Sequence, residues 1–385
     1  MFAYGIKLSV RFSFLTFLAV LLSSTTGEAQ SIDEIIVTAQ KRQQSLQDVP
    51  FSVSANTGER LEEMNVNDLT DLQTVIAGLQ SPSTGSPGEG SSMRLRGFGS
   101  PPFQLGIEPA VATFVDGVYM SRSGTAVNDL IDIERIEVLK GPQGTLFGKN
   151  TTAGVIHVVT KRPEIGANDG YFKVSASSFD TYSVEGITNI SLSDTSALRF
   201  SAKIAEGDGW LENDGPLDDL NDTNRYTFRG QMALNPSDKL SVNLSLDFSE
   251  IDENCCATVR YADGPFTGPI NFFAAGIGQQ ALSPDNFNNY KAVTNDEESN
   301  NAEDLGFSAE LVYDMANGME LTSITSYRDY DLATIVDGDF SGADILVIDS
   351  EIAIKSLTQE LRLSNSFSMG SRTGNWMAGL YYTDE

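Results

Sequence analysis

Residues 240–248 read LSVNLSLDF. Leu240, Val242, Leu244, Leu246 and Phe248 fall on one side of an extended chain; Ser241, Asn243, Ser245 and Asp247 fall on the other. Alternation this clean predicts a β-strand with one apolar and one polar face. YSVEGITNISL (182–192), LRFSAKIA (198–205) and YTFRGQMAL (226–234) repeat the scheme. Nine such strands are expected, near 170–179, 181–192, 195–209, 223–235, 239–252, 305–315, 318–332, 350–367 and 373–385.

The connections alternate as well. Residues 193–194, 236–238 and 316–317 are tight turns, and 368–372 is short. Residues 210–222, 253–304 and 333–349 are long, acidic and rich in Asn, Asp and Gly. Short turns on one rim and long loops on the other describe a transmembrane β-barrel of the outer-membrane kind. A soluble sandwich shows the same alternation, but the asymmetry of the loops disfavours it. Aromatics at strand ends (Tyr171, Trp210, Tyr226, Phe248, Tyr327, Tyr382) fit interfacial girdles.

Upstream the pattern differs. Residues 45–165 read as a compact α/β region. DVPFSVSA is a strand, and GERLEEMNVNDLTDLQTVIAGL (58–79) is predicted helical, with Leu61, Met64, Leu69, Leu72, Val75 and Ile76 on one face. A Ser/Pro/Gly-rich loop, 81–92, separates these from short strands at MRLRGFG, AVATFVDGVYM, IERIEVLKGP and AGVIHVVTK. The N-terminus carries Lys7 and Arg11, an apolar run at 12–22 and small residues around Ala29. This predicts a cleaved secretory signal over residues 1–29. The run is too short to span a bilayer as a helix.

Of 385 residues, 53 are acidic and 25 are Lys or Arg, a formal net charge of -28. That excludes nucleic acid as an expected partner, because phosphate binding needs a basic face. Cys255 and Cys256 are adjacent, compatible with a vicinal disulfide or with two thiols; no histidine stands near to complete a metal site. His157, the single histidine, lies in an apolar strand and reads as structural. With no nucleophile–base arrangement, no enzyme and no cofactor are expected. GPQGTLFGKNT fails the phosphate-loop spacing, with three residues between Gly144 and Gly148 and Asn150 after Lys149.

DIERIEVLKGPQGTLFGKNTTAGVIHVVTKRP (132–163), MRLRGFG, PAVATFVDGVYM and DEIIVTAQKR (33–42) together resemble the TonB-dependent outer-membrane receptors of Gram-negative bacteria. Lys140, Ala153 and His157 stand where that family often has Arg, Gly and Asn. The resemblance implies an α+β plug domain (45–165) followed by an antiparallel transmembrane β-barrel (166–385). The family's barrel has 22 strands, so about nine imply an N-terminal part, truncated. If the plug sits inside the barrel, size agrees: a globule of about 120 residues has a radius near 17 Å, whereas ten tilted strands close at a radius of roughly 10 Å. A soluble domain outside a small ten-strand pore is the alternative that geometry leaves open.

The resemblance further implies a TonB box at Asp33, Glu34, Ile35, Ile36, Val37 and Thr38, on a tether spanning 30–44. An extended β-branched segment pairs edge to edge with a partner sheet, here TonB, coupled to its inner-membrane motor complex. Arg96 and Lys140 are expected to latch the plug to barrel carboxylates. Phe98, Phe103, Tyr261 and Phe272 are the expected ligand contacts. The implied cargo is a ferric siderophore, with cobalamin, haem and oligosaccharide as alternatives. The surroundings are outer-membrane lipid and lipopolysaccharide. A passive pore or a loop-displaying adhesin is the competing reading.

Overall fold

The computed structural model describes residues 34–81, 92–101, 106–122, 129–279, 283, 286–370 and 372–385. Val37–Glu385 form one compact unit, to which residues before Val37 do not belong. The signal, Asp33 and Phe103 lie outside the described residues.

The plug is built on a five-stranded sheet. In chain order its strands are β1 (Val53–Thr57), β2 (Val111–Val115), β3 (Val118–Met120), β4 (Ile133–Lys140) and β5 (Gly154–Thr160), arranged β1-β4-β5-β2-β3. Only β5 and β2 run parallel. Between β2 and β3 the turn is Asp116-Gly117, both at positive φ. This is the two-residue hairpin that Asp-Gly favours.

The expected helical face at 58–79 is only partly realised. Helix α1 covers Gly58–Glu63, capped by Thr57, whose hydroxyl accepts from Arg60 N. It stops because Asn65 turns left-handed, at φ 53°. Beyond it, Asp68 and Asp71 accept hydrogen bonds from the nearby backbone N–H groups of Asn67, Thr70 and Asp71 itself. Those local bonds compete with helix and leave a 3-10 turn at Asp71–Thr74. Leu61, Leu69, Leu72 and Ile76 still reach the core beside Ile136, Val138 and Ile156. Met64, expected on the same face, is exposed. Each such Leu or Ile contributes roughly 1.5–3 kcal/mol by burial.

The second layer is a single nine-stranded antiparallel sheet. Its strands are β6 (Asn168–Ala176), β7 (Tyr182–Ser193), β8 (Ser196–Gly207), β9 (Thr223–Ser237) and β10 (Leu240–Glu253). They continue as β11 (Ser299–Asp314), β12 (Glu320–Asp337), β13 (Val347–Met369) and β14 (Arg372–Asp384). Cross-strand register makes the two faces explicit. One row runs Phe200, Gly230, Leu246, Phe307, Tyr327, Leu357; the next runs Ser201, Arg229, Asp247, Gly306, Arg328, Ser356. The first row is apolar and points away from the plug, as a lipid face requires. The second is polar and points inward. In the second row Arg328 reaches Asp247 at 2.6 Å and also bonds Asp304. Gly306 leaves room for that pairing: a Cβ would lie 2.3 Å from the Arg328 guanidinium, which would have to shift.

Two of the expected girdle aromatics sit elsewhere. Tyr171 faces inward and donates to Glu185 Oε1 at 2.6 Å. Trp210 lies in a loop, edge-on to Tyr290. The loop after β10 is ordered by a parallel pairing of Glu212–Asn213 with Lys291–Ala292 and contains helix α2 (Thr267–Gly276). Cys255 and Cys256 are bonded to each other.

Candidate functional site

The plug lies against the inner face of the sheet and is held by charge. On β8, the Arg199 Nε and Nη2 donate to Asp132 at 2.6 and 2.7 Å, and Ser201 Oγ adds a third bond at 3.2 Å. Asp132 adopts φ 55°, a conformation Asp tolerates better than most residues. Lys203 reaches Asp129 at 3.4 Å. On β9, Arg225 pairs with Glu253 and approaches Asp129 and Asp68, while Arg229 donates to the Ile131 carbonyl at 3.2 Å. Here the wall supplies bases and the plug supplies acids. Further round the wall the signs reverse. Arg162 of the plug meets Glu310 of β11 at 2.5 Å, and Lys41 meets Glu360 of β13 at 3.3 Å.

The tether is seated on the plug sheet. Val37 and Ala39 are fully buried. Thr38 N donates to Glu137 Oε1 at 2.8 Å, and its hydroxyl lies 3.1 Å from the same oxygen and 3.3 Å from His157 Nδ1. Arg135 Nε also donates to Glu137 Oε1, at 2.9 Å. Lys41, at φ 59°, closes a turn by donating its N–H to Thr38 O. Its ammonium stands 5.1 and 4.7 Å from the ring centroids of Phe114 and Phe147. Burial lowers the Lys41 pKa against the opposing pull of Glu360. A cavity of about 570 Å³ opens beside the seat, lined by Thr38, Lys41, Arg135 and His157 and by Val312, Glu320 and Thr322. The last three flank the short β11–β12 turn, so the seat lies on the short-turn rim.

The expected latch is drawn differently. Lys140 donates to the plug's own Ala77 carbonyl at 2.8 Å. Burial, then the charge of Arg96, lowers its pKa. Among the described residues neither Arg96 nor Lys140 pairs with a wall carboxylate. Arg96 instead occupies a tight turn, at φ 54° with Gly97 at φ 83°, between Arg94–Leu95 and Phe98–Gly99. Asp68, Asp129, Asp132, Arg122 and Arg162 of the plug, with Lys41 of the tether, pair with the wall. Part of this was readable: Arg199 and Lys203 fall on the polar side of the alternation in LRFSAKIA, where bases facing a lumen need partners. Phe98, Tyr261 and Phe272 are strongly exposed, at 73%, 76% and 76%. None of them lines the seat cavity, nor a second cavity of about 450 Å³ between Asp129, Lys173, Lys203 and Arg225. In the loop, burial raises the Glu298 pKa to about 7 while its Oε2 accepts from Cys256 N at 2.6 Å.

A charged globule packed against a two-faced antiparallel wall defines a plugged outer-membrane barrel. Residues 45–155 match the TonB-dependent receptor plug domain, and the likeness to known proteins supports a TonB-dependent receptor of the Gram-negative outer membrane. It is 33% identical over 141 residues to the vitamin B12 transporter BtuB of Vibrio vulnificus, covering 36% of this chain and 22% of that protein. It is 32% identical over 164 residues to the pesticin receptor of Yersinia pestis, covering 42% and 23%. The fold superposes on the ferric yersiniabactin uptake receptor FyuA of Yersinia pestis with a TM-score of 0.69 at 22% identity, over 86% of this chain and 48% of that one. For the ferripyoverdine receptor of Pseudomonas aeruginosa the TM-score is 0.71 at 15% identity, over 91% and 44%. The matches thus span about a quarter of the curated relatives' length.

Proposed function

We propose that this chain serves energised import across the outer membrane, its plug displaced by TonB pulling on residues 33–38. In this reading residues 1–29 are the export signal, 30–44 the tether, 45–165 the plug and 166–385 part of the barrel. The seat of the tether carries the proposal. It lies on the rim that faces the periplasm in this fold class. Hydrogen bonds and one charge pair fasten it, and water can replace both. TonB pairs with Asp33–Thr38 by strand addition, and tension passes through Thr38 and Lys41 to the plug. The cargo is a scarce ligand caught by the exposed aromatics of the plug apex and loops, Phe98, Phe103, Tyr261 and Phe272. A ferric siderophore fits best, because the superposed structures include receptors for such ligands. A cobalamin is the next candidate, given the BtuB relatives. The protein is a receptor and not an enzyme.

Ile36→Pro tests the reading, since proline removes a backbone donor needed for strand pairing. In the intact receptor this change abolishes uptake of a ferric siderophore panel and leaves binding of the same ligands intact. Uptake that continues unchanged identifies a passive pore or an adhesin instead.

A further inference from the structure

On the long-loop rim two buried carboxylates stand without a base. Glu298, just ahead of β11, and Asp337, the last residue of β12, are 4% and 0% exposed. Ser299 lies opposite Ile335, so the two stand one and two residues beyond that pair, at one corner of the sheet. In each, one oxygen is taken. Glu298 Oε2 accepts from Cys256 N at 2.6 Å, and Asp337 Oδ1 accepts from Asp339 N and Phe340 N at 3.2 and 3.1 Å. Glu298 Oε1 and Asp337 Oδ2 are buried and, among the described residues, have no partner. Asn295 Oδ1 is a third such oxygen, and the Asn295 N–H donates to the Asp337 carboxylate.

No base of these loops is free to neutralise them. The stretch 253–304 holds two: Arg260, bonded to Asp263, and Lys291, bonded to Glu212 and Asp214. The stretch 333–349 holds none. More acid crowds in, since burial, then the charges of Asp344 and Asp339, raise the Asp296 pKa. Burial raises that of Glu298 to about 7; the Cys256 N–H opposes the rise and the charge of Asp337 adds to it. Buried charge is stable when it is paired or when it holds a metal ion.

We propose that Glu298 Oε1, Asp337 Oδ2 and Asn295 Oδ1 bind a calcium ion, which ties the loop after β10 to the loop after β12. Among the described residues no three carboxylates, imidazoles or thiolates are placed to hold a metal ion, so the protein's share is two carboxylates and one amide, with water completing the shell. Every donor is oxygen, which suits a hard cation. Zinc favours nitrogen and sulfur, but the one histidine is in the plug and both cysteines are bonded to each other. Donors from two separate loops suit the irregular shell of calcium better than the strict octahedron of magnesium. Such a site on an external loop predicts a dissociation constant of about 10⁻⁴–10⁻³ M. The inference is independent of the TonB reading and of the cargo.

The test uses the intact receptor in nanodiscs, stripped with a chelator and titrated with calcium chloride alone. Calorimetry reads binding, and limited proteolysis within 254–298 reads the order of the loop. Wild type saturates in the stated range, and at about 10 mM calcium the loop is cut roughly ten- to hundredfold more slowly. Asp337→Asn and Glu298→Gln each weaken binding about tenfold or more. Each also removes one of two like buried charges. Without calcium, the loop of either variant is therefore cut more slowly than that of wild type, whereas a damaged fold would be cut faster. Glu250→Gln on β10, a control for diffuse surface charge, changes neither readout. Absence of saturable binding up to about 10 mM overturns the proposal, as does binding that both substitutions leave unchanged. Magnesium chloride that binds and protects equally well overturns the assignment of calcium.

Discussion

The plug is fastened at two places in contrasting ways. At Asp132 every strong contact is made: two charge-assisted bonds from Arg199 and a hydroxyl from Ser201. At Glu137 one oxygen is crowded and the other has no partner among the described residues; its donors are Thr38 of the tether and the plug's own Arg135. Both carboxylates are buried. A saturated, bidentate pair sets position and gives way at high cost, whereas the tether is held through the neutral N–H and hydroxyl of Thr38, whose bonds are individually weaker. The difference separates the contact that registers the plug against the wall from the contact that seats the tether on the plug.

The largest test is at the registered end. Arg199→Ala leaves Asp132 buried and unpaired, which costs about 3–5 kcal/mol. Hydrogen exchange of the β5 amides under urea, in the intact receptor, reads that loss; a change below about 1 kcal/mol would erase the contrast. Next comes the tether. Glu360→Gln removes the charge opposite Lys41 and costs about 1–3 kcal/mol. The Lys41 amide, which donates to Thr38 O at 2.8 Å, then exchanges roughly ten- to hundredfold faster while β5 stays protected. Protection lost in both places would mean that the two fastenings are one. The smallest effect belongs to Lys173 and Glu62, a plug–wall pair at 3.6 Å whose side chains are 45% and 54% exposed. Lys173→Ala changes neither readout by more than about 1 kcal/mol, because water screens the pair.

The wall was legible in the sequence because strand alternation is a local signal. LSVNLSLDF shows the lipid face and the lumen face within nine residues, and the observed β10 begins at the residue where that stretch starts. Residues 58–79 misled for an equally local reason. Their apolar spacing is helical, but Asn65, Asp68 and Asp71 offer the backbone other partners, and a single short helix results. The site was least legible. Thr38 meets Glu137 across 99 positions and His157 across 119, and no spacing rule announces such a meeting. His157 read as structural for want of a visible partner. Lys140 and Arg96 read as the latch by resemblance, yet the wall carboxylates Glu310 and Glu360 are met by Arg162 and Lys41.

The reversal of charge sign around the wall also bears on assembly. Bases on β8 and β9 meet Asp129 and Asp132, while Glu310 and Glu360 meet Arg162 and Lys41. A plug rotated about the pore axis would set carboxylate against carboxylate on one flank and guanidinium against guanidinium on the other, in a space with little water to soften the repulsion. The arrangement works as a keyway: a newly exported chain, closing its cylinder around the globule, has one azimuth at which the charges mate.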